Sequence, residues 1–219
     1  MLLACCALGL TPRTSCAQVG VAWTAAASLF VHQVDIGYGV EKASGLLIGA
    51  EGALDVRSRW RFAVHAAAGS LSGQVTDAEQ RDVGELGVRA SFAPAPWVAL
   101  VGGATSRTYT SAIARQRWTI VDLGAEARLD FATTPVRGVL RVGVLPVVAV
   151  RGLPGPEVGL TAAAGVEYRA GRVTGGLFYG IERYDFPAAG GGGRRLEQVS
   201  TLSFRFTVQR GPAARTRAP

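Results

Sequence analysis

The stretch "TIVDLGAEARLDF", residues 119–131, decides how the chain is read. Val121, Leu123, Ala125, Ala127, Leu129 and Phe131 recur at every second position, and Asp122, Glu126, Arg128 and Asp130 lie between them. A period of two is that of a β-strand, whose side chains leave alternate faces. The strand therefore has one apolar face and one charged face. A water-soluble barrel would turn the apolar face inward. A barrel in lipid turns it outward, because a charge on the lipid side costs roughly 2–4 kcal/mol for Arg at the midplane and somewhat less for acids.

Other segments repeat the pattern and choose between the two. Glu51 and Asp55 share parity with Gly49 and Ala53, and Glu85 and Arg89 with Gly87 and Ser91. Glu157 and Glu167 alternate with Gly159, Thr161, Ala163 and Gly165, and Arg205 with Thr201, Ser203 and Thr207. The opposite faces carry Ile48, Leu54, Leu86, Val88, Leu160, Val166, Leu202 and Phe204. Glycine weakens a strand that merely faces water. In a narrow closed lumen it makes room for arginines to reach carboxylates on neighbouring strands. The charged face is thus expected inside and the apolar face against lipid.

Ten strand-like runs follow a short leader, at about 22–34, 45–56, 60–73, 83–92, 97–109, 118–131, 137–150, 157–168, 172–185 and 197–209. Eight strands is the alternative count. No run shows a helical period. Short connections ("RSR" at 57–59, "APAP" at 93–96, "ATTPV" at 132–136, "RAG" at 169–171) alternate with mostly longer ones ("DIGYGVEKAS", "QVTDAEQRD", "TSAIARQR", "RGLPGP", "FPAAGGGGRRLE"). In an up-and-down sheet this puts four tight turns and both termini at one end and five longer loops at the other. In this asymmetry the chain resembles bacterial outer-membrane β-barrels, which have short periplasmic turns, longer outer loops and an even strand number. The resemblance spans nearly the whole chain and is one of architecture, without a family motif. It implies an all-β, up-and-down antiparallel transmembrane barrel in the cell outer membrane. Outer-membrane lipid and the barrel-assembly machinery are its implied partners.

Aromatic residues cluster near both ends of the strands. Trp60, Phe92, Trp97, Phe131 and Tyr168 lie beside short turns, and Tyr109, Trp118 and Tyr184 beside long ones. They are expected to form two belts at the two membrane interfaces. Two features sit less easily with the class. Pro146 interrupts "VGVLPVVAV" and, in a sheet without edges, requires a bulge or an early strand end. The last aromatic of the final strand, Phe206, is followed by a further 13 residues.

Parity predicts a charge network lining the lumen. Strands two to five contribute Glu51, Asp55, Arg61, His65, Glu85, Arg89 and Arg107. Strand six contributes Asp122, Glu126, Arg128 and Asp130, and the remainder Arg137, Arg141, Glu157, Glu167, Arg172, Glu182 and Arg205. About nine acids face a similar number of arginines. Near balance points to paired networks and away from a strongly ion-selective pore, which would show one sign.

Composition agrees with a barrel. Mean hydropathy is +0.24, yet no apolar run reaches the roughly 18–20 residues of a membrane helix. The formal net charge is +7, and of 23 basic residues only Lys42 is a lysine. Arginine suits confined, paired settings. Because the cations are spread among acids, with no basic patch in the sequence, nucleic acid is not an expected partner. Cys5, Cys6 and Cys16 are the only cysteines. They fall in a segment, residues 1–17, that reads as a signal peptide cleaved before Gln18, with "LLAC" as a weaker lipoprotein signal. Residues 18–209 are then the barrel and 210–219 a basic disordered tail.

No catalytic residue, metal site or cofactor is expected. His32 and His65 have no neighbouring His or Cys at metal-ligand spacing. "GGGG" at 190–193 lacks the Lys-Ser/Thr of a phosphate-binding loop. The leading function is a small outer-membrane barrel with a structural, adhesive or narrow-pore role. The alternatives are an outer-membrane hydrolase or lipid-modifying enzyme at the outer rim, with His32 and Asp35 as its candidate pair, and a soluble secreted barrel holding an apolar ligand. Oligomeric state is not legible.

Overall fold

A computed structural model describes residues 23–38, 41–73, 80–112, 114–152, 154–187 and 195–210. The proposed signal peptide, the tail beyond Arg210 and the "GGGG" segment lie outside them. The described residues form ten strands: β1 (Trp23–Tyr38), β2 (Glu41–Val56), β3 (Trp60–Gly73), β4 (Arg81–Ala95), β5 (Val98–Thr110), β6 (Arg115–Asp130), β7 (Val136–Val150), β8 (Val158–Ala170), β9 (Val173–Phe186) and β10 (Arg195–Arg210). Each strand pairs antiparallel with its sequence neighbours, and β1 also pairs with β10, closing an up-and-down barrel.

The connection pattern mostly follows expectation, with two corrections. β1 and β2 run on to Tyr38 and Glu41, which are register partners. "DIGYGVEKAS" is therefore almost all strand, and only residues 39–40 separate β1 from β2. β6 likewise begins at Arg115, inside the segment expected to be loop. In both places polar residues fill strand positions because the sheet continues beyond its apolar zone. A strand of 16 residues, at roughly 3.3 Å per residue and tilted about 40°, rises about 40 Å. The apolar band of such barrels is only about 25 Å tall.

Local chemistry explains the irregularities. The three-residue β2–β3 turn places Arg57 and Ser58 at φ 52° and 57°, consecutive left-handed residues whose twist suits a hairpin, and the Arg59 N–H donates to the Val56 carbonyl at 3.3 Å. Pro146 lies where the β6–β7 register slips between Val121 and Leu123. Val121 pairs with Val147 and Leu123 with Val144, so Leu145 and Pro146 share the single place opposite Asp122. The bulge absorbs the missing N–H of the proline. A second slip, between Phe92 and Ala95, carries β4 into "APAP".

The apolar face is on the outside. Ile48, Leu86, Leu123, Leu140, Val166, Leu202 and Phe204 are all exposed, whereas Glu51, His65, Ser203 and Thr207 are buried. A continuous apolar exterior around a closed sheet is the solution that lipid imposes, since it leaves no unpaired strand edge. The soluble alternative, which required these residues inside, is excluded.

Candidate functional site in the barrel interior

The inward face has two zones. Toward the short turns lie most of the charges; toward the long connections lie mostly apolar residues, with Glu197 of β10 an exception, buried there 3.9 Å from Arg195. On β3 His65 precedes Leu71, and on β6 Trp118 and Ile120 precede Asp122 and Glu126. On β9 Glu182 is followed by Tyr184 and Phe186. The apolar side chains meet in one buried cluster that includes Val34, Leu71, Val83, Trp118, Ile120, Leu145, Val150, Tyr184, Phe186 and Val199.

The aromatic residues of this cluster correct the expectation of two belts. Trp118 is 2% exposed and Tyr184 0%. The Trp118 ring makes edge contacts with Tyr109, Tyr184 and Phe186 at centroid distances of 6.2, 5.3 and 6.1 Å. Parity accounts for this, because Trp118 shares a face with Asp122, and Tyr184 with Glu182. Among the described residues, a lipid-side girdle is seen at the short-turn end. There Trp60, Trp97, Phe131 and Tyr168 are exposed, half-buried Phe92 sits 4.8 Å from Trp60, and Trp60 stacks on Phe62.

In the charged zone the acids and arginines pair across strands. Glu85 accepts from Arg107 Nε at 2.8 Å and lies 3.2 Å from His65 Nε2. Arg107 continues to Glu182 at 2.9 Å, and the Tyr184 hydroxyl donates to the same carboxylate at 2.7 Å. Asp122 pairs with Arg141 from the neighbouring strand. Glu51 takes Arg61 at 3.4 Å and Arg205 at 3.6 Å. Nearer the turns are Asp55–Arg61, Glu126–Arg128 and Asp130–Arg137, at 3.3, 2.7 and 2.5 Å. Glu167 is paired with Arg169 at 3.8 Å. Arg89 also points inward. Low-dielectric surroundings make the buried pairs, Glu85–Arg107 and Asp122–Arg141 among them, strongly dependent on their partners, whereas Asp130 is exposed beside its turn.

Glycines let this network fit. A Cβ on Gly87 would strike the His65 ring, and one on Gly103 would come 2.5 Å from Asp122 Oδ1.

Two residues expected in the network are not part of it. Arg172 is exposed in the β8–β9 turn, where its carbonyl accepts from Gln209 N at 2.8 Å. Glu157 precedes β8 and is exposed at the long-connection rim. Both were placed one residue inside strands that start later. Sequence reasoning also missed the buried Glu197 and an inward contact, His32 Nδ1 to Ser203 Oγ at 2.5 Å. The signal was present, since His32 shares parity with buried Phe30. Asp35, the other member of the suggested rim pair, is on the opposite, outward face and exposed.

A cavity of about 270 Å³ reaches into both zones, lined by charges such as Glu85, Arg107 and Asp122 and by apolar Phe30, Ile120 and Leu145. The Trp118–Tyr184–Phe186 cluster lies toward the long connections.

No protein-family model matches the chain, and no curated protein matches its sequence. Solved structures do. The outer membrane protease OmpT from Escherichia coli is 9% identical, with a TM-score of 0.51 over 86% of this chain and 97% of that one. The translocator domain of the autotransporter NalP from Neisseria meningitidis is 15% identical, with a TM-score of 0.47 over 88% and 89%. Neisserial surface protein A is 13% identical, with a TM-score of 0.42 over 84% and 96%. The chain thus has the fold of a small bacterial outer-membrane β-barrel.

Proposed function

We propose that the protein is a small integral outer-membrane barrel with a closed interior, serving a structural or adhesive role at the cell surface. The observation that carries this reading is the two-zoned lumen. A diffusion channel needs a continuous wet path. Here most of the charges are held in pairs and the Trp118–Tyr184–Phe186 cluster fills the other end. The long connections, on this reading, face out of the cell, and the short turns and lipid-side aromatic girdle face the periplasm. The apolar outward face of β10, ending with Phe206 and Val208, is what the barrel-assembly machinery would engage.

The same geometry supports a non-enzymatic role. The His32–Asp35 pair would need both side chains on one face, and they are on opposite faces. His32 instead bonds Ser203 inside the wall.

Planar-bilayer recording on the refolded full chain tests the closed lumen. The expected result is no steady conductance from the parent. A stable open level in the parent would overturn the proposal. Fractionation supplies the second test, with the protein expected in the detergent-extracted outer-membrane fraction.

A further inference from the structure

Above the apolar band, the outward face of the barrel is polar, and one sector of it is purely cationic. On β6, Arg115 and Arg117 are both outward and exposed. Arg151 is exposed at the end of β7, and its N–H donates to the Arg117 carbonyl at 2.9 Å. That contact puts the two arginines side by side across adjacent strands. On the other flank, β5 places Thr108 opposite Arg117 and Thr110 opposite Arg115. Directly below come Thr119 and then Val121, Leu123 and Val147, where the lipid face begins.

None of the three arginines makes an ion pair among the described residues. Among the described residues, the outward acid in register with Arg115 is Asp82, two strands away across Thr110. Elsewhere round the same rim the signs alternate, with Asp35, Lys42, Asp82, Arg183 and Asp185 on outward positions. Arg117 and Arg151 stand four residues above Val121 and Val147, and Arg115 six, so that three guanidinium groups without an ion pair among the described residues rise beside hydroxyls through the layer that lipid headgroups occupy. Guanidinium is also the side chain best matched to phosphate oxygens.

We infer that Arg115, Arg117 and Arg151 form a binding site for the phosphate-bearing headgroup of an anionic lipid in the leaflet at the long-connection end. The threonine hydroxyls supply further donors, and the lipid's acyl chains lie on the Val121–Leu123–Val147 surface below. This rests on the reading of the chain as a membrane barrel.

The test uses the full chain refolded into phosphatidylcholine vesicles with or without diphosphoryl lipid A, extracted gently and weighed by native mass spectrometry. The parent is expected to retain lipid A. The triple variant Arg115→Gln, Arg117→Gln, Arg151→Gln is expected to lose retention at least about tenfold, given a roughly fivefold effect per arginine near an anionic surface. Its heat-modifiable gel mobility should be unchanged, because all three side chains are outside the barrel. Equal retention by parent and triple variant would overturn the inference. So would an equal loss in the double variant Arg57→Gln, Arg59→Gln at the opposite end, which would reduce the effect to net charge. Displacement of the lipid by millimolar inorganic phosphate would make this a free-phosphate site and refute the lipid assignment. A parent that fails to insert into vesicles at all would instead overturn the membrane-barrel reading, and the inference with it.

Discussion

Trp60 and Trp118 stand near opposite ends of the barrel and teach opposite lessons. Trp60 is 45% exposed, stacked on Phe62 at the lipid-side girdle near the short turns. Trp118 is enclosed, packed against Tyr109, Tyr184 and Phe186 inside the lumen near the long connections. Residue type is the same, and both lie within the first four residues of a strand. The face differs, and the face decides whether an aromatic anchors the barrel in its membrane or closes its interior.

The largest effects should come from the interior. Trp118→Ala removes the centre of the aromatic cluster and should cost about 3–5 kcal/mol, read as a fall in the temperature of heat-modified gel mobility. It should also open measurable conductance in bilayers; a variant as silent and as heat-resistant as the parent would break the contrast. Arg107→Ala leaves Glu85 and Glu182 without their shared cation and should likewise cost about 3–5 kcal/mol. Here the added variant Glu85→Gln sharpens the test. If pairing is the source, the double variant should lose less than the two single losses added together.

Exterior changes act through the lipid instead. Ala125→Arg puts a charge among Leu123, Ala127 and Val142 and should impair insertion by about 2–4 kcal/mol near the midplane, measured as the inserted fraction in vesicles. Gly124→Ser, one residue away on the lumen side, would bring its Cβ against the Val142 carbonyl and within 3.0 Å of Gly143 Cα. Forcing the backbones apart there should cost about 1–3 kcal/mol, with the inserted barrel reduced in heat resistance but not in lipid preference. Smallest among these, Trp60→Ala should lower heat resistance by a fraction of the Trp118→Ala loss and leave conductance untouched. Equal losses for the two tryptophans would show that the interior cluster has no special part in closure.

Alternation made the ten strands legible, because residues such as Leu123 and Asp122 cannot exchange faces without placing charge in lipid. Glycine beside charge, as at Gly87 with Glu85 and Arg89, made the packed interior legible for the same reason of space. Strand ends were harder to read. Lys42, Ser44, Arg115 and Arg117 look like loop residues, yet they continue strands above the band, where polar outward residues are no longer penalised. Glu157 and Arg172 failed in the opposite sense, since parity extended past a strand end gives a face to a residue that has none.

The sequence by itself determined the period, the inward direction of the charges and the asymmetry of the connections, while the choice of ten strands over eight came from the closed sheet. Each of the first three follows from local spacing and from the cost of charge in hydrocarbon. Only the closed tertiary structure decided which arginine meets which carboxylate, where Pro146 is absorbed in the β6–β7 bulge, and which aromatics face lipid. Pairing and filling depend on the register and curvature of all ten strands at once. A tryptophan near a strand end satisfies either a membrane interface or a lumen, and closure of the barrel is what assigns Trp60 to one and Trp118 to the other.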